Sequence, residues 1–436
     1  MAIKQRLYPT AAQAMGFNEH FGQSRLLYNL CVEVSSFYHK AKTEEQKKHF
    51  KYDSLSKQLT ELRAEYDWLE AGSQNIQQNA IRNYWQGMLN FFKNPGHFGK
   101  PVKKKKGDKE SFTINGKSLK VRQALTADGK IRPKWAEILV PKIGYVPFRL
   151  TRPLEEIQKA KTATITRHLD RYTVAFTLPQ PEFTRTSTGQ GTGIDRGVTN
   201  TVTLSNGFMS LIMGLTEVEE KRLIRLQQQL ERQQKGSKRR KETLREIRTL
   251  RFKQANRRKN WIEQITTRLV RNYDYIILED LEVKDMMARP KPIEDPNNPG
   301  HFLPNGATEK SRLNKGIQDS CWSAFANRLQ HKAGASPKNA PCLVDFTPAF
   351  HTSQQCSRCH CISEESRESQ ALFLCQCCGL TMHADWNAAI NILRRGIAAH
   401  NLASAPEDIR EAGAVASVVG NHLCESQARQ QQTTAQ

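Results

Sequence analysis

The chain has 436 residues, 38% of them apolar and 8% aromatic, which is enough to bury the cores of about two to four domains. Its 66 Lys and Arg against 43 acidic residues leave a net charge of +23 and a pI near 9.7, so nucleic acid is the expected neutralising partner. No apolar run approaches the roughly 20 residues of a membrane span, and the opening MAIKQRLYPTAAQ lacks a signal-peptide core; no membrane partner and a cytoplasmic setting with reduced thiols are expected.

From Ala11 to about Leu62 the pattern is helical, with Phe17, Phe21 and Leu27–Tyr28 near one face and Leu55, Leu59 and Leu62 near another. Ile76, Ala80, Tyr84, Met88 and Phe91–Phe92 continue it at three- and four-residue steps. This helical bundle ends in GKPVKKKKGDK, whose Lys103, Lys104, Lys105 and Lys106 are too polar to pack. They form either a solvated loop or a loop that contacts phosphates. From Ser111 to Gln180 the period shortens: SFTINGKSLKV, AEILVPKIGYVPFRL, TATITRHL and RYTVAFTLP predict several short strands and a small barrel-like module.

After the linker PEFTRTSTGQGTG a new domain opens on strand signals, TGIDRG, NTVTLSNG and FMSLIMG. A helical pair from Glu217 to Tyr273 follows, broken at Lys235–Gly236–Ser237. Between Lys221 and Asn260 sixteen Lys and Arg, among them Arg239 and Arg240, face three acids. A coiled-coil flank normally mixes both signs, so nucleic-acid contact is the favoured reading over a merely solvated face. YDYIILEDLEV predicts a buried strand that delivers acids at its carboxyl end. KGIQDSCWSAFANRLQHKA predicts one amphipathic helix through Ile317, Cys321, Phe325 and Leu329, and PCLVDFTPAF a further buried strand. From about Ala398 the composition drifts to Ala, Gln, Ser and Gly, which predicts a disordered tail over 397–436.

Cys356-x-x-Cys359 and Cys375-x-x-Cys378, with fifteen residues between them, have the spacing of a zinc ribbon. Each Cys-x-x-Cys turn aims two thiolates at one metal, and four thiolates close the shell, so the expected Zn²⁺ is structural. Cys361 and Cys377 break the knuckle spacing and are taken as bystanders; His360 and His383 are lower-ranked ligands. Three acids stand where side chains converge: Asp195 in GIDRG, Glu279 at the end of YIILED, and Asp385 at the start of DWNAAINILRR. Singly, each has an ordinary explanation as a turn former, a strand end (shared with Asp280) or a helix N-cap. Together they fit the carboxylates that two Mg²⁺ ions need for phosphodiester cleavage, on an RNase H-like order of strands and helices.

These motifs, with RLYPTAAQ, FGQSRLLYN, YDWLEAGSQNIQQNAIRNYWQGMLNFFK and FGKPVKKKK in the amino-terminal half, resemble in order those of the TnpB (OrfB) family of transposon-encoded RNA-guided nucleases. They are similar too to the compact type V CRISPR effectors. The resemblance covers about residues 4 to 395. It implies a multidomain α+β protein with a helical recognition domain (11–110) and a small β-barrel wedge domain (1–10 and 111–182). It further implies a RuvC-like α/β nuclease domain (190–350 and 383–396) with the basic hairpin at 217–272 and an inserted zinc ribbon (351–382). Asp195, Glu279 and Asp385 become the catalytic carboxylates and Mg²⁺ ligands, and Cys356, Cys359, Cys375 and Cys378 the zinc ligands. The implied partners are a guide RNA from the transposon end (omega-type) and a double-stranded DNA target, bound by one protein copy in a prokaryotic, nucleoid-associated setting. Arg358, on the first knuckle, is a further candidate phosphate contact. The competing readings are a guided repressor with a vestigial nuclease core and a cut-and-paste transposase that needs no RNA.

Overall fold

The computed structural model describes residues 2–40, 51–107, 109–126, 128–179, 184–298 and 300–400. The tail beyond 400 lies outside the described residues. The chain divides into two compact units, Met1–Pro181 and Glu182–Gln436.

The first unit is built on a seven-stranded antiparallel sheet. Strand β1 (Ala2–Leu7) lies between β7 (Arg171–Thr177) and β5 (Gly144–Arg149), in the order β2-β6-β7-β1-β5-β4-β3. The other members are β2 (Lys109–Asn115), β3 (Val121–Leu125), β4 (Ile131–Val140) and β6 (Thr162–His168). Alternation decides which face is buried: Ile3 and Leu7 of β1, Phe112 and Ile114 of β2, and Val174 and Phe176 of β7 turn inward. Against them packs α1 (Ala11–Lys40) through Phe17 and Phe21. A second core joins Leu27 and Cys31 of α1 to Leu55 and Leu59 of α2 (Tyr52–Glu65), Leu69 of α3 (Asp67–Glu70) and Tyr84 and Met88 of α4 (Gln74–Lys93). These are the helical faces that the sequence periodicity picks out; Phe92, however, is exposed. A short helix, α5 (Leu154–Gln158), completes the unit as described.

The second unit has a five-stranded mixed sheet in the order β10-β9-β8-β11-β14. Strands β8 (Gly191–Asp195), β9 (Val202–Leu204) and β10 (Met209–Ser210) pair antiparallel, whereas β11 (Tyr275–Asp280) runs parallel to both β8 and β14 (Leu343–Pro348). Between β10 and β11 stand α6 (Glu217–Arg232) and α7 (Lys238–Asn272), the expected helical hairpin. Thr216 and Glu219 close a reciprocal capping box at the start of α6, and Ser237 caps α7. The outer half of the hairpin is held by a narrow seam of Leu223, Leu226 and Leu250, while Trp261, Ile262, Ile265 and Leu269 of α7 join the sheet core.

After the short helix α8 (Val283–Met286) and the two-stranded ribbon β12 (Ile293–Glu294) and β13 (Phe302–Leu303), one helix was expected through Ile317 to Leu329. The structure instead breaks it at Cys321, whose φ of 53° ends α9 (Ala307–Ser320) and starts α10 (Trp322–Ala333). The apolar spacing survives the break, which is why periodicity does not reveal it. The new direction lets the Trp322 indole donate to the Gly197 carbonyl at 3.2 Å, pinning the loop after β8.

The last described helix, α11 (Ala384–His400), lies across β8 and β11 with very little clearance. A Cβ on Gly193 would fall 2.1 Å from the Ala389 carbonyl and 2.5 Å from the Leu393 nitrogen. A Cβ on Gly396 would meet the Ile277 side chain at 2.5 Å. Both glycines are therefore contact points between helix and sheet rather than turn residues. Gly193→Ala is expected to destabilise the protein by about 1–3 kcal/mol or more in chemical denaturation; stability equal to wild type would mean that the helix does not sit this close.

Candidate functional site

Strand register and the helix contact together aim the three acids. Leu278 of β11 pairs with Ile194 of the parallel β8, so Glu279 and Asp195, each one residue on, stand at the same level of adjacent strands. Neighbouring strands lie about 4.8 Å apart. Gly193 and Ile277 face α11, and side chains two residues along a strand share a face, so Asp195 and Glu279 also face α11. The helix runs opposite to β8: Gly191 meets Leu393, Gly193 meets Ala389, and one turn further lies Asp385. Asp385 sits in the first helical turn, where the macrodipole favours an anion. Its carboxylate accepts from Asn200 Nδ2 at 3.1 Å, and its N–H donates to His383 Nδ1 at 3.2 Å.

Electrostatics register the convergence. Burial pushes the Asp195 carboxyl well above the usual carboxylate range, and the charges of Glu279 and Asp385 push it the same way. Burial likewise raises Glu279, against the Thr352 hydroxyl and the nearby charges of Arg196, Arg395 and Arg367. Arg196, adjacent to Asp195, is buried and donates to the Glu279 carbonyl. Arg395 donates to the Phe350 carbonyl at 2.6 Å and to Gln355 Oε1 at 2.8 Å. None of these arginines, nor Thr352 or Asn200, stands out as a site residue in the sequence. The one available signal was an arginine directly after an acid in a buried strand, as in GIDRG. Asp280, the neighbour of Glu279, is exposed.

The donor set at the three acids is carboxylate oxygen throughout, which suits Mg²⁺ better than a thiophilic metal. The acids do not crowd round a single point. Among the described residues, Cys356, Cys359, Cys375 and Cys378 form the one group of three or more Cys, His, Asp or Glu whose ligand atoms all lie within 4.8 Å of one another. A pair of ions about 3.5–4 Å apart asks for carboxylates on either side of it, not a single tight cluster.

The four cysteines fit a tetrahedral zinc shell. Cys356 and Cys378 sulfurs are 3.7 Å apart and those of Cys359 and Cys375 3.5 Å, close to the ~3.8 Å edge that Zn–S bonds of about 2.3 Å require. Gly379 follows the second knuckle at φ +67°, as its turn demands. Strands β15 (Leu372–Leu374) and β16 (Thr381–His383) complete the ribbon around Phe373. Cys361 and Cys377 lie outside the metal-binding quartet, as expected of bystanders, but they correct the expectation of reduced thiols: they form a disulfide. Each lies within two residues of a knuckle ligand, so closing the two knuckles brings them face to face.

The remaining candidates are scattered. Lys103 pairs with Glu33 at 3.2 Å. Lys104 is held on α1: Asn29 bonds its backbone N–H and carbonyl at 2.7 and 2.9 Å, and its ammonium sits 3.8 Å from the centre of the Tyr28 ring. Lys105, Lys106, Arg239 and Arg358 are exposed. Arg240 caps α6, donating to the carbonyls of Leu230 and, at 3.2 Å, Gln233. No helix among the described residues is long and apolar enough to cross a membrane.

Three family models match the chain: an OrfB-type "Probable transposase" over residues 176–289, a "Cas12f1-like, TNB domain" over 322–392, and a transposase "Helix-turn-helix domain" over 1–47. The second of these spans all four zinc-ribbon cysteines and Asp385. These matches support a TnpB family member. It is 27% identical to "Putative RNA-guided DNA endonuclease InsQ" of Escherichia coli (strain K12), over 91% of this chain and 92% of that one. It is 28% identical to a "Putative RNA-guided DNA endonuclease" of Streptomyces pristinaespiralis, over 91% and 90%. In fold it is similar to the protein of a Cas12f1–sgRNA–target DNA complex, with a TM-score of 0.50, 14% identity, and coverage of 88% and 83%. The TnpB family is thus related to compact type V effectors, and this member shares their mixed α/β multidomain architecture.

Desolvation of the half-buried Asp195 beside two like charges has a measurable consequence. A carboxyl whose folded pKa is raised stabilises the fold below its unfolded pKa, and that contribution is lost as pH rises through the folded value. Asp195→Asn cannot ionise. In divalent-free buffer it is expected to melt about 2–4 °C above wild type at pH 8, with the gap shrinking towards pH 4. Equal melting at both pH values would mean that Asp195 does not feel its neighbours.

Proposed function

We propose that this TnpB-family protein is an RNA-guided DNA endonuclease whose single RuvC-like site cuts with Mg²⁺ held by Asp195, Glu279 and Asp385. The reading is supported by Asp195 of β8 and Glu279 of β11 standing level on adjacent strands that face α11, whose first turn carries Asp385, and by the charges of Glu279 and Asp385 both raising Asp195. When bound, two Mg²⁺ ions would supply an activated water and stabilise the leaving oxygen of the phosphodiester. The chain's own residues prepare that site. Asn200 orients Asp385, Thr352 orients Glu279, and Arg196 ties the end of β11 to the start of the loop after β8.

In this reading the first unit carries the recognition and wedge functions, engages an omega-type guide RNA and senses a short motif beside the target. Base pairing with the guide reads the rest of the target. The exposed Lys105, Lys106, Arg239 and Arg358 are proposed phosphate contacts, with the protein acting as a single copy. A Zn²⁺ in the cysteine quartet would be structural, since four thiolates leave no position for substrate. A repressor with a vestigial nuclease core is disfavoured because all three acids, Asp195, Glu279 and Asp385, are present.

With guide RNA and Mg²⁺, Asp195→Ala is expected to lower plasmid cleavage by at least about 10³-fold while target binding in a gel-shift assay stays within about twofold. Cleavage at the wild-type rate would overturn the assignment. Elemental analysis is expected to find one zinc per chain, reduced to a minor fraction in Cys375→Ser; a full zinc complement in that variant would place the metal elsewhere.

A further inference from the structure

The segment between β14 and the first zinc knuckle is gripped from one side by α11. Asn391 Nδ2 donates to the carbonyls of Thr352 at 3.0 Å and Gln355 at 2.7 Å. Asn387, one turn earlier, donates to the same Gln355 carbonyl at 2.7 Å and accepts from the Ser357 N–H at 2.8 Å. Arg394 donates to the Ser357 carbonyl. Thr352, Ser357, Asn387 and Asn391 are all buried. Buried amides make such bonds only where backbone groups are presented to them, so these contacts fix the path of residues 352–357 tightly.

At one end of that path, the Thr352 hydroxyl donates to Glu279 Oε1 and lies 3.0 Å from the Ala349 carbonyl. At the other end is Cys356, a member of the zinc quartet. The helix that grips the segment also carries Asp385 in its first turn.

From this geometry we infer that Thr352 is a positioning residue for the metal site: its hydroxyl fixes which Glu279 oxygen faces Asp195, and α11, through Asn387 and Asn391, sets Thr352 in the same frame as Asp385 and the zinc knuckle. The inference rests on the nuclease reading proposed above. Glu279 is buried, and the Thr352 hydroxyl donates directly to its carboxylate, which orients that carboxylate within its pocket. A hydrogen-bonded partner behind a metal ligand typically changes metal affinity by about 10–100-fold.

The test compares Thr352→Val, which keeps the side-chain shape and removes the hydroxyl, with Thr352→Ser, which keeps the hydroxyl; Thr352→Ala replaces the valine variant if that one misfolds. Mn²⁺ binding to the guide-loaded protein is measured by the electron paramagnetic resonance of free Mn²⁺, without turnover, and the Mg²⁺ midpoint of cleavage separately. The expected result is a tenfold or greater weakening of both in Thr352→Val, values within about twofold of wild type in Thr352→Ser, and unchanged target binding and melting temperature in both. A wild-type metal midpoint in Thr352→Val, or a serine variant as weak as valine, would overturn the inference. Glu279→Gln separates the two levels: if it leaves Mn²⁺ binding intact, the nuclease reading itself fails, whereas a loss there with no effect of Thr352→Val refutes only the role of Thr352.

Discussion

The second unit depends on how closely α11 can lie on the sheet. Backbone atoms of Ala389 and Leu393 occupy the space where any side chain at position 193 would stand, and Gly396 gives the same clearance to Ile277. Dispersion is strong only at such separations, and buried Ile277, Ile392, Leu393 and Ile397 gain from it. The functional consequence is positional. A helix seated this low brings its first turn, and therefore Asp385, level with the carboxyl ends of β8 and β11. A larger residue at 193 would lift the helix and separate Asp385 from Asp195.

The same packing sets the electrostatic character of the site. Burial raises the carboxyls of both Asp195 and Glu279, and the charges of Glu279 and Asp385 raise Asp195 further, so the arrangement costs stability. The fold offsets part of that cost with Arg196, Arg367 and Arg395, supplied by β8's following loop, the zinc ribbon and α11. Retaining a locally unfavourable charge cluster is expected of a site built to receive cations. The ribbon thus contributes charge to the neighbourhood as well as a thiolate shell, and the clamp on residues 352–357 ties its first knuckle to the sheet.

Much of this was legible in the sequence. The Cys-x-x-Cys pairs report their own geometry because two thiolates three residues apart on a tight turn face one point. IILED and GIDRG read as buried strands because their apolar runs are short and end in acids, and the parallel pairing then levels Glu279 with Asp195. What was not legible depended on tertiary contacts. The break at Cys321 is hidden because a left-handed residue can turn a helix without disturbing its apolar spacing. FMSLIMG reads as a full strand yet contributes only Met209 and Ser210 to the sheet. The disulfide of Cys361 and Cys377 joins residues sixteen apart in the chain, and no local pattern marks it. Thr352 and Arg395 act through partners distant along the chain, and no local pattern marks them. In the first unit the strands were expected as a small barrel; they form a seven-stranded sheet with β2 and β3 at the ends of its strand order.

Asp195, Glu279 and Asp385 are proposed to hold divalent metal jointly. The most direct measurement is a structure of the protein with guide RNA, Mn²⁺ and a phosphorothioate target that cannot be cut, with manganese located by anomalous scattering. Two manganese peaks about 3.5–4 Å apart are expected, bounded by carboxylate oxygens from all three residues. Manganese bound elsewhere, or a site from which any one of the three carboxylates is absent, would contradict the proposal.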